Sequence, residues 1–328
     1  MKNINWSELG FGYFKTDYNV RCEYKDGKWG ELYATEDVNM NIHMASTCLH
    51  YGQEVFEGLK AFRGADGKVR LFRVEENAKR MINSGEYLKM AVPSVELFTK
   101  ACIEAVKLNA DYIPPYGSGA SLYLRPMLIG VGPQVGVKPS ADYLFAVFVT
   151  PVGPYYKDGF NCIKVIIDYD HDRAAPKGTG HVKVGGNYAA SLDSGEIAHQ
   201  KGFASVIFLD PATKQYIDEC SAANFFGIRD GKYITPDSHS VLPSITNKSL
   251  RQIAEDLGLK VEQRKVGVEE LPTFSEAGCC GTAAVISPIG SVYDPKTDKT
   301  IVYGDGKTAG PWSQKLYKTL QGIQYGEI

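Results

Sequence analysis

The sequence has almost no imbalance of charge, and this excludes one class of partner. Its 328 residues include 36 Lys and Arg against 38 Asp and Glu, which gives a formal net charge of -2 at pH 7. A protein that follows a nucleic-acid backbone needs an excess of basic side chains to neutralise the phosphates. The sequence has no block of basic residues that would form such a surface, so we expect no nucleic-acid partner.

Long apolar runs are also missing. The first residues, MKNINWSELGFGYF, lack the basic end and the apolar stretch of a signal peptide. A membrane-spanning helix needs about 18 or more consecutive apolar residues, and no such run occurs. We therefore predict a cytoplasmic protein that has no membrane partner.

Cysteine and histidine are few and scattered. The seven cysteines follow no disulfide spacing, and Cys279 and Cys280 are adjacent, which favours reduced and mostly buried thiols. None of the six histidines pairs with a cysteine at a spacing typical of zinc ligands. We therefore predict no metal site.

The rest of the composition is typical of globular proteins. With 44% hydrophobic and 23% charged residues, the chain is long enough for about two domains. Strand-like and helix-like patterns alternate along it, which predicts a mixed α/β fold. In the first half they predict strands at 69–72, 121–130 and 142–150, with helices at 75–90 and after Ser94. In the second half they predict strands from 162 and at 204–209, 216–219 and 225–228, with helices at 188–200 and after Pro243.

A proline- and glycine-rich stretch marks the predicted domain boundary. The segment PVGPYYKDG, residues 151–159, lies between two long apolar strand patterns. Such clusters are typical of the exposed connections between domains. We therefore place the boundary there.

The segment GTGHVKVGGNY, residues 178–188, is the most unusual in the sequence. It has four glycines around Lys183, and Tyr188 follows five residues after the lysine. One interpretation is a mobile surface loop with a solvated lysine. The other is a nucleophilic lysine, which must lose its proton near neutral pH and therefore needs a desolvated pocket. The segment alone leaves both open.

Three further segments suit a phosphorylated pyridine cofactor. Glu219 interrupts a strand pattern, either as a turn residue or as the acid that faces a pyridine nitrogen. LPSITNKSL opens an amphipathic helix at Ile245 and Thr246, and the N–H groups at a helix start also suit a phosphate. In GCCGTAAVISPIG, Thr282 and Ala283 stand near glycines that permit close backbone approach.

Arg125 stands between two apolar runs in LYLRPMLIG. Such an arginine either faces solvent or, when buried, pairs with a carboxylate or phosphate. Its planar guanidinium suits a substrate carboxylate. Both interpretations remain open from the strand pattern alone.

Taken together, these segments resemble the branched-chain amino acid aminotransferases, a family in the fold-type IV group of pyridoxal-phosphate enzymes. The resemblance covers nearly the whole chain, in the family's order: FGYFKTD, LHYGQEVFEGLKAFRG, VRLFRVEENAKRMINS, LYLRPMLIGVGP, VKVGGNY, DECSAAN, LPSITNKSL and CGTAAVISPIG. It implies a smaller N-terminal domain at 1–153, a linker at 154–161 and a larger C-terminal cofactor-binding domain at 162–328. It also implies a homodimer.

The resemblance implies an activity as well. Pyridoxal 5'-phosphate would be the cofactor of a reversible, ping-pong amino transfer between leucine, isoleucine or valine and 2-oxoglutarate, so the partners would be small amino acids and 2-oxo acids. Lys183 would hold the cofactor as a Schiff base and move the proton. Tyr188 would donate to the phenolic oxygen, Glu219 would hold the ring nitrogen, and Arg125 would meet the distal carboxylate of glutamate. The implied cofactor-binding residues are Arg80, Lys183, Tyr188, Glu219, Ile245, Thr246 and Thr282, and the implied substrate-binding residues are Tyr51, Phe56, Tyr123, Arg125, Thr282 and Ala283.

The chain departs from animal members of that family at two places. Ala284 and Ser287 stand where those members have a CxxC redox pair, so we predict no such thiol switch. Ala222 stands where they have a threonine thought to help hold the substrate carboxylate, and Ser221 is the neighbouring hydroxyl.

Three other functions compete with this one. D-amino acid aminotransferases and aminodeoxychorismate lyases share the lysine, the glutamate and the phosphate site, but FEGLKAF together with LYLRP argues against both. A nucleotide phosphate cradle would require the spacing G-x-x-x-x-G-K-[ST], which the lysine segment lacks. A catalytically silent binding protein is a third alternative, which the presence of Lys183 and Glu219 opposes.

Overall fold

The computed structural model describes residues 2–153 and 160–328, and these form two units that we describe separately. The described part of unit 1 comprises 2–153, Val182–Gly185 and Gln324–Glu327. Unit 2 comprises 160–181, Gly186–Ile323 and Ile328. The predicted linker at 154–161 lies almost wholly outside the described residues, so the domain limits stay a prediction.

Two short segments that we assigned to the second domain group with unit 1. Val182 and Val184 are buried among the apolar side chains of that unit's core. The ring of Tyr325 packs edge-on against Phe62, with ring centroids 5.1 Å apart. Burial of apolar side chains therefore assigns both segments to unit 1.

Unit 1 is an antiparallel sheet covered by helices. Among the described residues, its sheet has the order β2-β1-β8-β7-β5-β6, with β3 paired to β1 and β4 paired to β7. The elements are β1 (Asn19–Lys25), β2 (Lys28–Trp29), β3 (Tyr33–Thr35), α1 (Thr47–Tyr51), β4 (Glu54–Phe56), β5 (Leu59–Arg63), β6 (Val69–Leu71), α2 (Val74–Tyr87), α3 (Val95–Leu108), β7 (Ser121–Gly130) and β8 (Tyr143–Val152), with short 3-10 helices at Trp6–Glu8 and Ala110–Tyr112.

Helices α2 and α3 cover one face of this sheet because each has an apolar stripe. In α3, Phe98, Ala101 and Cys102 are fully buried in the same core as Leu122 and Leu124 of β7. Successive strand residues point to opposite faces, so Tyr123 and Arg125 of β7 face away from this core. The second face of β7 is therefore available for polar chemistry.

Unit 2 is a mixed sheet whose pairings close into a ring. Among the described residues, the sheet order is β11-β10-β9-β16-β15-β12-β13-β14, β17 pairs with β16, and β11 also pairs with β12. The elements are β9 (Ile163–Asp168), α4 (Gly185–Ala189), α5 (Leu192–Gln200), β10 (Ser205–Leu209), β11 (Ile217–Cys220), β12 (Ala223–Arg229), β13 (Lys232–Pro236), α6 (Ile245–Asp256), β14 (Lys260–Arg264), β15 (Glu276–Gly281), β16 (Val285–Asp294), β17 (Lys299–Val302) and α7 (Pro311–Tyr325), with a 3-10 helix at Val268–Thr273.

The core of unit 2 lies on the inner side of this ring. Val165 and Ile167 of β9 pack there with Ile207 of β10 and Phe225 of β12. The alternate residue of β9, Ile166, packs instead with Ala198 of α5 on the other face. This alternation is expected for strands that are covered on both sides.

The mixed α/β fold and most predicted elements are confirmed. Ser94 caps α3, since its hydroxyl accepts from the N–H of Leu97 at 3.1 Å. The single helix predicted at 188–200 is wrong, because it is divided into α4 and α5. The hydroxyl and the N–H of Ser191 both donate to the carbonyl of Tyr188, and such local serine bonds compete with a continuous helix.

Membrane helices and bridged cysteines were the other structural questions raised by the sequence. None of the helices in residues 2–153 and 160–328 has the length and apolarity needed to cross a bilayer. All seven cysteines are free, and Cys279 and Cys280 are buried, as predicted for structural thiols.

A buried carboxylate holds the start of α7. Glu276, on β15, accepts hydrogen bonds from the N–H groups of Trp312 and Ser313, both at 2.9 Å, and from the Ser313 hydroxyl at 2.7 Å. The first N–H groups of a helix have no partner within the helix, and a negative charge there is favourable. Glu276 therefore joins α7 to the sheet of unit 2.

We expect Glu276→Ala to destabilise the protein by about 2 to 3 kcal/mol, because it leaves buried N–H groups without an acceptor. Glu276→Gln keeps one acceptor oxygen and should cost about half as much. Differential scanning calorimetry of both variants measures this. Glu255→Ala, an exposed change on α6, is the control. An unfolding temperature for Glu276→Ala equal to that of the control would contradict this role.

Candidate active site

Lys183 is held by backbone contacts within unit 1. Its N–H donates to the hydroxyl of Ser84 on α2 at 3.0 Å, and its carbonyl accepts from the N–H of Phe56 on β4 at 3.2 Å. Its neighbours Val182 and Val184 are buried in the core, at 2% and 4% exposure. The segment is therefore a fixed part of unit 1, and the mobile-loop interpretation is wrong.

The ring of Phe56 lies beside two cationic side chains. The Nζ atom of Lys183 is 4.6 Å from the ring centroid, and the central guanidinium carbon of Arg125 is 4.8 Å from it. A cation near the face of an aromatic ring is attracted by the ring's quadrupole. Phe56 therefore places an apolar surface against both the candidate nucleophile and the candidate carboxylate-binding group.

Arg125 keeps a donor available. Its Nη2 donates to the hydroxyl of Tyr123 at 3.1 Å, and its guanidinium carbon is 5.4 Å from the Tyr123 ring centroid. Its Nε is buried, and none of the described residues accepts a hydrogen bond from it. A buried donor without an acceptor costs free energy. A bound carboxylate would remove that cost, so the arrangement favours the carboxylate-binding interpretation over the solvent-facing one.

Close packing fixes Tyr123. A Cβ atom at Gly58 would overlap the Tyr123 hydroxyl and ring, so only glycine fits at that position without displacing the tyrosine. Gly58 belongs to the segment FEGLKAF that entered the family resemblance. Its glycine is thus explained by the position of the tyrosine that bonds Arg125.

Arg80 lies in α2 and pairs with a buried carboxylate. Its Nε and Nη2 donate to the two oxygens of Glu57 at 2.8 and 2.7 Å, and Asn77 donates to Glu57 at 2.7 Å. Glu57 is fully buried. Such a paired geometry orients the guanidinium strongly. The sequence patterns did not single out Glu57, although an acid within an apolar strand pattern was a signal for it.

Two more charged residues of unit 1 were missed. Lys60 of β5 pairs across the sheet with Tyr123 of β7, and burial lowers the pKa of Lys60 to about 8. Glu54 of β4 accepts a hydrogen bond from the N–H of Gly185, two residues after Lys183. The signal was the same for both: a charge inside the strand patterns of QEVFEGLKAF.

Glu219 is the acidic centre of unit 2. It lies on β11 at 2% exposure, and its Oε1 accepts from the N–H of Leu242 and from Nδ2 of Asn224 at 3.4 Å. Nη2 of Arg173 is 3.4 Å from the same oxygen. These three donors stabilise the carboxylate inside the protein. Arg173 was not singled out from the sequence, because only folding brings it to β11.

A buried amide network joins Glu219 to the start of α6. Asn224, which bonds Glu219, accepts from Nδ2 of Asn247 at 3.1 Å. The N–H of Asn247, in the first turn of α6, donates to the hydroxyl of the cap residue Ser244 at 3.2 Å. The predicted cap is therefore confirmed. The acid and the helix start form one connected polar structure.

The start of α6 is suited to an anion. Ile245 and Thr246 are its first two residues, and the helix continues to Asp256. The first N–H groups of a helix point outward and carry the positive end of its dipole. This geometry suits a phosphate oxygen, as predicted for this segment.

The turn after β15 is strained. Thr282 and Ala283 are half-buried, and Val285 has φ of +65°, in the left-handed region that β-branched residues rarely adopt. Strain of this kind often accompanies a functional site. Ser221, the hydroxyl next to Ala222, instead accepts hydrogen bonds from the N–H of Val206 and the hydroxyl of Ser205.

The two remaining predicted residues lie apart from these clusters. Tyr51 ends α1, is 42% exposed, and donates its hydroxyl to the carbonyl of Val135. Tyr188 lies in α4 and is half-buried. Their roles stay predictions.

A comparison with known families decides the class of this protein. Residues 54–292 match the family model described as amino-transferase class IV. The branched-chain-amino-acid aminotransferase of Haemophilus influenzae is 50% identical, over 100% of this chain and 97% of that protein. The chain belongs to the class IV aminotransferase family.

Solved structures agree with this assignment. The branched-chain amino acid aminotransferase of Escherichia coli superposes with a TM-score of 0.78 at 29% identity, covering 95% of this chain and 96% of that one. A second such aminotransferase, whose source is abbreviated T.th., contains pyridoxamine 5'-phosphate and gives 0.79 at 26% identity, covering 96% of each chain. Other structures of the T.th. enzyme contain N-(5'-phosphopyridoxyl)-L-glutamate or 4-methylvaleric acid.

Membership in this aminotransferase family confirms the resemblance and the fold-type IV architecture. It also contradicts the nucleotide-cradle interpretation of the lysine segment. The structure brings Phe56, Tyr123, Arg125 and Lys183 together in unit 1. Within unit 2 it connects Glu219 to α6 through Asn224 and Asn247. The individual roles of the predicted site residues stay predictions.

Proposed function

We propose that this aminotransferase moves amino groups reversibly between leucine, isoleucine or valine and 2-oxoglutarate, with pyridoxal 5'-phosphate as cofactor. The names of its relatives support the substrate class. The ligands in the T.th. structures support both substrate types, since one is an adduct of glutamate and another is a branched aliphatic acid.

The position of Phe56 beside Lys183 and Arg125 is the observation that carries this proposal. A branched aliphatic side chain needs an apolar wall, and glutamate needs a cation for its distal carboxylate. The rings of Phe56 and Tyr123 supply the wall, and the buried Nε of Arg125 supplies a donor that none of the described residues uses. One face of β4 and β7 can thus accept both substrates.

The donor set of the chain fits the cofactor. Glu219, stabilised by Arg173 and the Leu242 N–H, would accept the proton-bearing pyridine nitrogen. The N–H groups at Ile245 and Thr246 would bind phosphate oxygens. We propose that Arg80 and Thr282 complete the phosphate site, that Tyr188 donates to the phenolic oxygen, and that Ala283 with Tyr51 contributes to the substrate site.

Lys183 would perform two tasks. Its Nζ would attach the cofactor covalently, and after the substrate takes its place it would accept the substrate's α-proton and return it to another carbon. When bound, pyridoxal phosphate supplies the electron sink and carries the amino group between two half-reactions. The bonds from Ser84 and Phe56 to the Lys183 backbone keep Nζ in position for both transfers.

Loss of the Lys183 amine should abolish the cofactor's lysine-linked absorption. We expect the purified protein to show a band at about 420 nm that decreases when leucine is added, and Lys183→Ala to lack this band. Lys100→Ala, at an exposed site on α3, should retain it. A wild-type protein that stays colourless after incubation with pyridoxal phosphate would overturn the proposed function.

Replacing Arg125 should separate the two substrate classes. We expect Arg125→Met to raise the KM for 2-oxoglutarate about tenfold or more, because a charge-assisted contact is lost, and to change the KM for 4-methyl-2-oxopentanoate much less. Steady-state kinetics with each oxo acid measures this. Equal losses with both acceptors would contradict the proposed role of Arg125.

We also propose that the enzyme is a homodimer and that its location is cytoplasmic. Met44, Leu49, Val135 and Val137 form an apolar surface next to α1 and are 58–85% exposed. The N–H of Gln134 bonds the carbonyl of Ala45, which joins the two halves of this surface. Contiguous exposed apolar side chains are typical of interfaces.

The assembly state is measurable by sedimentation velocity. We expect a mass about twice the chain mass of 36.0 kDa, and a shift toward the monomer in Val135→Asp, because a buried unpaired charge disfavours association. Val302→Asp, at a 56% exposed site on β17, is the control. A monomeric wild-type protein would contradict the proposal.

A further inference from the structure

Glu54 places a negative charge on the face of unit 1 that carries Arg125. Val55 of β4 is buried in the core, so its neighbours Glu54 and Phe56 face the opposite side. On β7 the same alternation places Tyr123 and Arg125 on that side. Phe56 pairs with Met127, two residues after Arg125. Glu54 and Arg125 thus lie on one surface.

The surroundings of Glu54 retain its charge only in part. Burial raises the pKa of the Glu54 carboxyl, whereas the N–H of Gly185 and the positive charge of Arg125 act in the opposite direction. Glu54 in turn contributes to the raised pKa of Cys48, whose main cause is burial. Glu54 is therefore electrostatically coupled to Arg125.

A carboxylate at this position opposes the binding of a second one. Arg125 has a single acceptor on its Nη2, the Tyr123 hydroxyl, and a buried Nε to which no described residue is bonded. The distal carboxylate of glutamate would enter the field of Glu54 when it reaches that guanidinium. Like charges in a partly desolvated site repel each other more strongly than in water.

We propose that Glu54 is a specificity-determining residue that acts through Arg125, weakening the binding of dicarboxylate substrates relative to branched aliphatic ones. This inference rests on the proposed function. Its consequence is a balance: Arg125 admits glutamate and 2-oxoglutarate, and Glu54 keeps them from excluding the aliphatic substrates. Glu54 also bonds the N–H of Gly185, so it joins the substrate face to the Lys183 segment.

Glu54→Gln separates the charge from the hydrogen bond. The glutamine amide oxygen can still accept from the Gly185 N–H, so the lysine segment keeps its anchor while the negative charge is removed. We expect the KM for 2-oxoglutarate to fall about threefold or more, and the KM for 4-methyl-2-oxopentanoate to stay within about twofold. Glu104→Gln, an exposed charge removal on α3, should change neither.

Competitive inhibitors provide a readout that does not depend on catalytic rate. Glutarate carries two carboxylates, and 4-methylvalerate carries one with a branched chain. Glu54→Gln should strengthen inhibition by glutarate and leave inhibition by 4-methylvalerate unchanged. In the Arg125→Met background the same change should have no effect on glutarate, because Glu54 acts through the guanidinium.

Each outcome distinguishes this inference from the proposed function. If the wild-type enzyme transfers amino groups but Glu54→Gln shifts both oxo acids equally, or neither, the inference is wrong and the proposed function stands. If the wild type transfers none with either acceptor, both are wrong. If Glu54→Gln does not fold, Glu54→Ser is measured in its place, and an unchanged ratio of the two KM values again overturns the inference.

Discussion

Burial of Val182 and Val184 in the core of unit 1 is the constraint on which the lysine depends. The alternation of a strand-like segment then directs Lys183, between them, away from that core. Two backbone bonds, to Ser84 and Phe56, fix its position along the sheet. A flexible lysine would lose conformational entropy each time it reacted, and an anchored backbone reduces that cost. The glycines around it are compatible with a rigid segment.

The substrate face of unit 1 combines two requirements that normally oppose each other. An apolar wall favours aliphatic side chains, whereas a charged group in such a place is costly unless it is paired. Arg125 meets both requirements because its guanidinium lies beside two aromatic rings and bonds the Tyr123 hydroxyl. Its charge is stabilised in an apolar setting, and one donor remains for a ligand. Glu54 adds the opposite charge nearby.

Unit 2 shows how a buried acid is maintained. Glu219 bonds the Leu242 N–H and lies beside Arg173, while Asn224 and Asn247 extend the network to α6. A buried carboxylate without partners would be neutralised or destabilising. Because every member of this network is bonded, the acid and the helix start keep a fixed relation within the unit.

The sequence by itself determined much of this protein. Periodicity and capping predicted α3, α6 and β7, since burial and caps act over a few neighbouring residues. The ordered series of motifs identified the family. Helix 188–200 was predicted wrongly, because the Ser191 bonds that divide it cannot be distinguished by periodicity. Only the tertiary structure decided that Lys183 is anchored rather than mobile, and that Arg125 lies against Phe56. It also revealed Glu54, Glu57 and Arg173 as partners, because such contacts join residues distant in the chain, and their energies depend on a burial that exists only after folding.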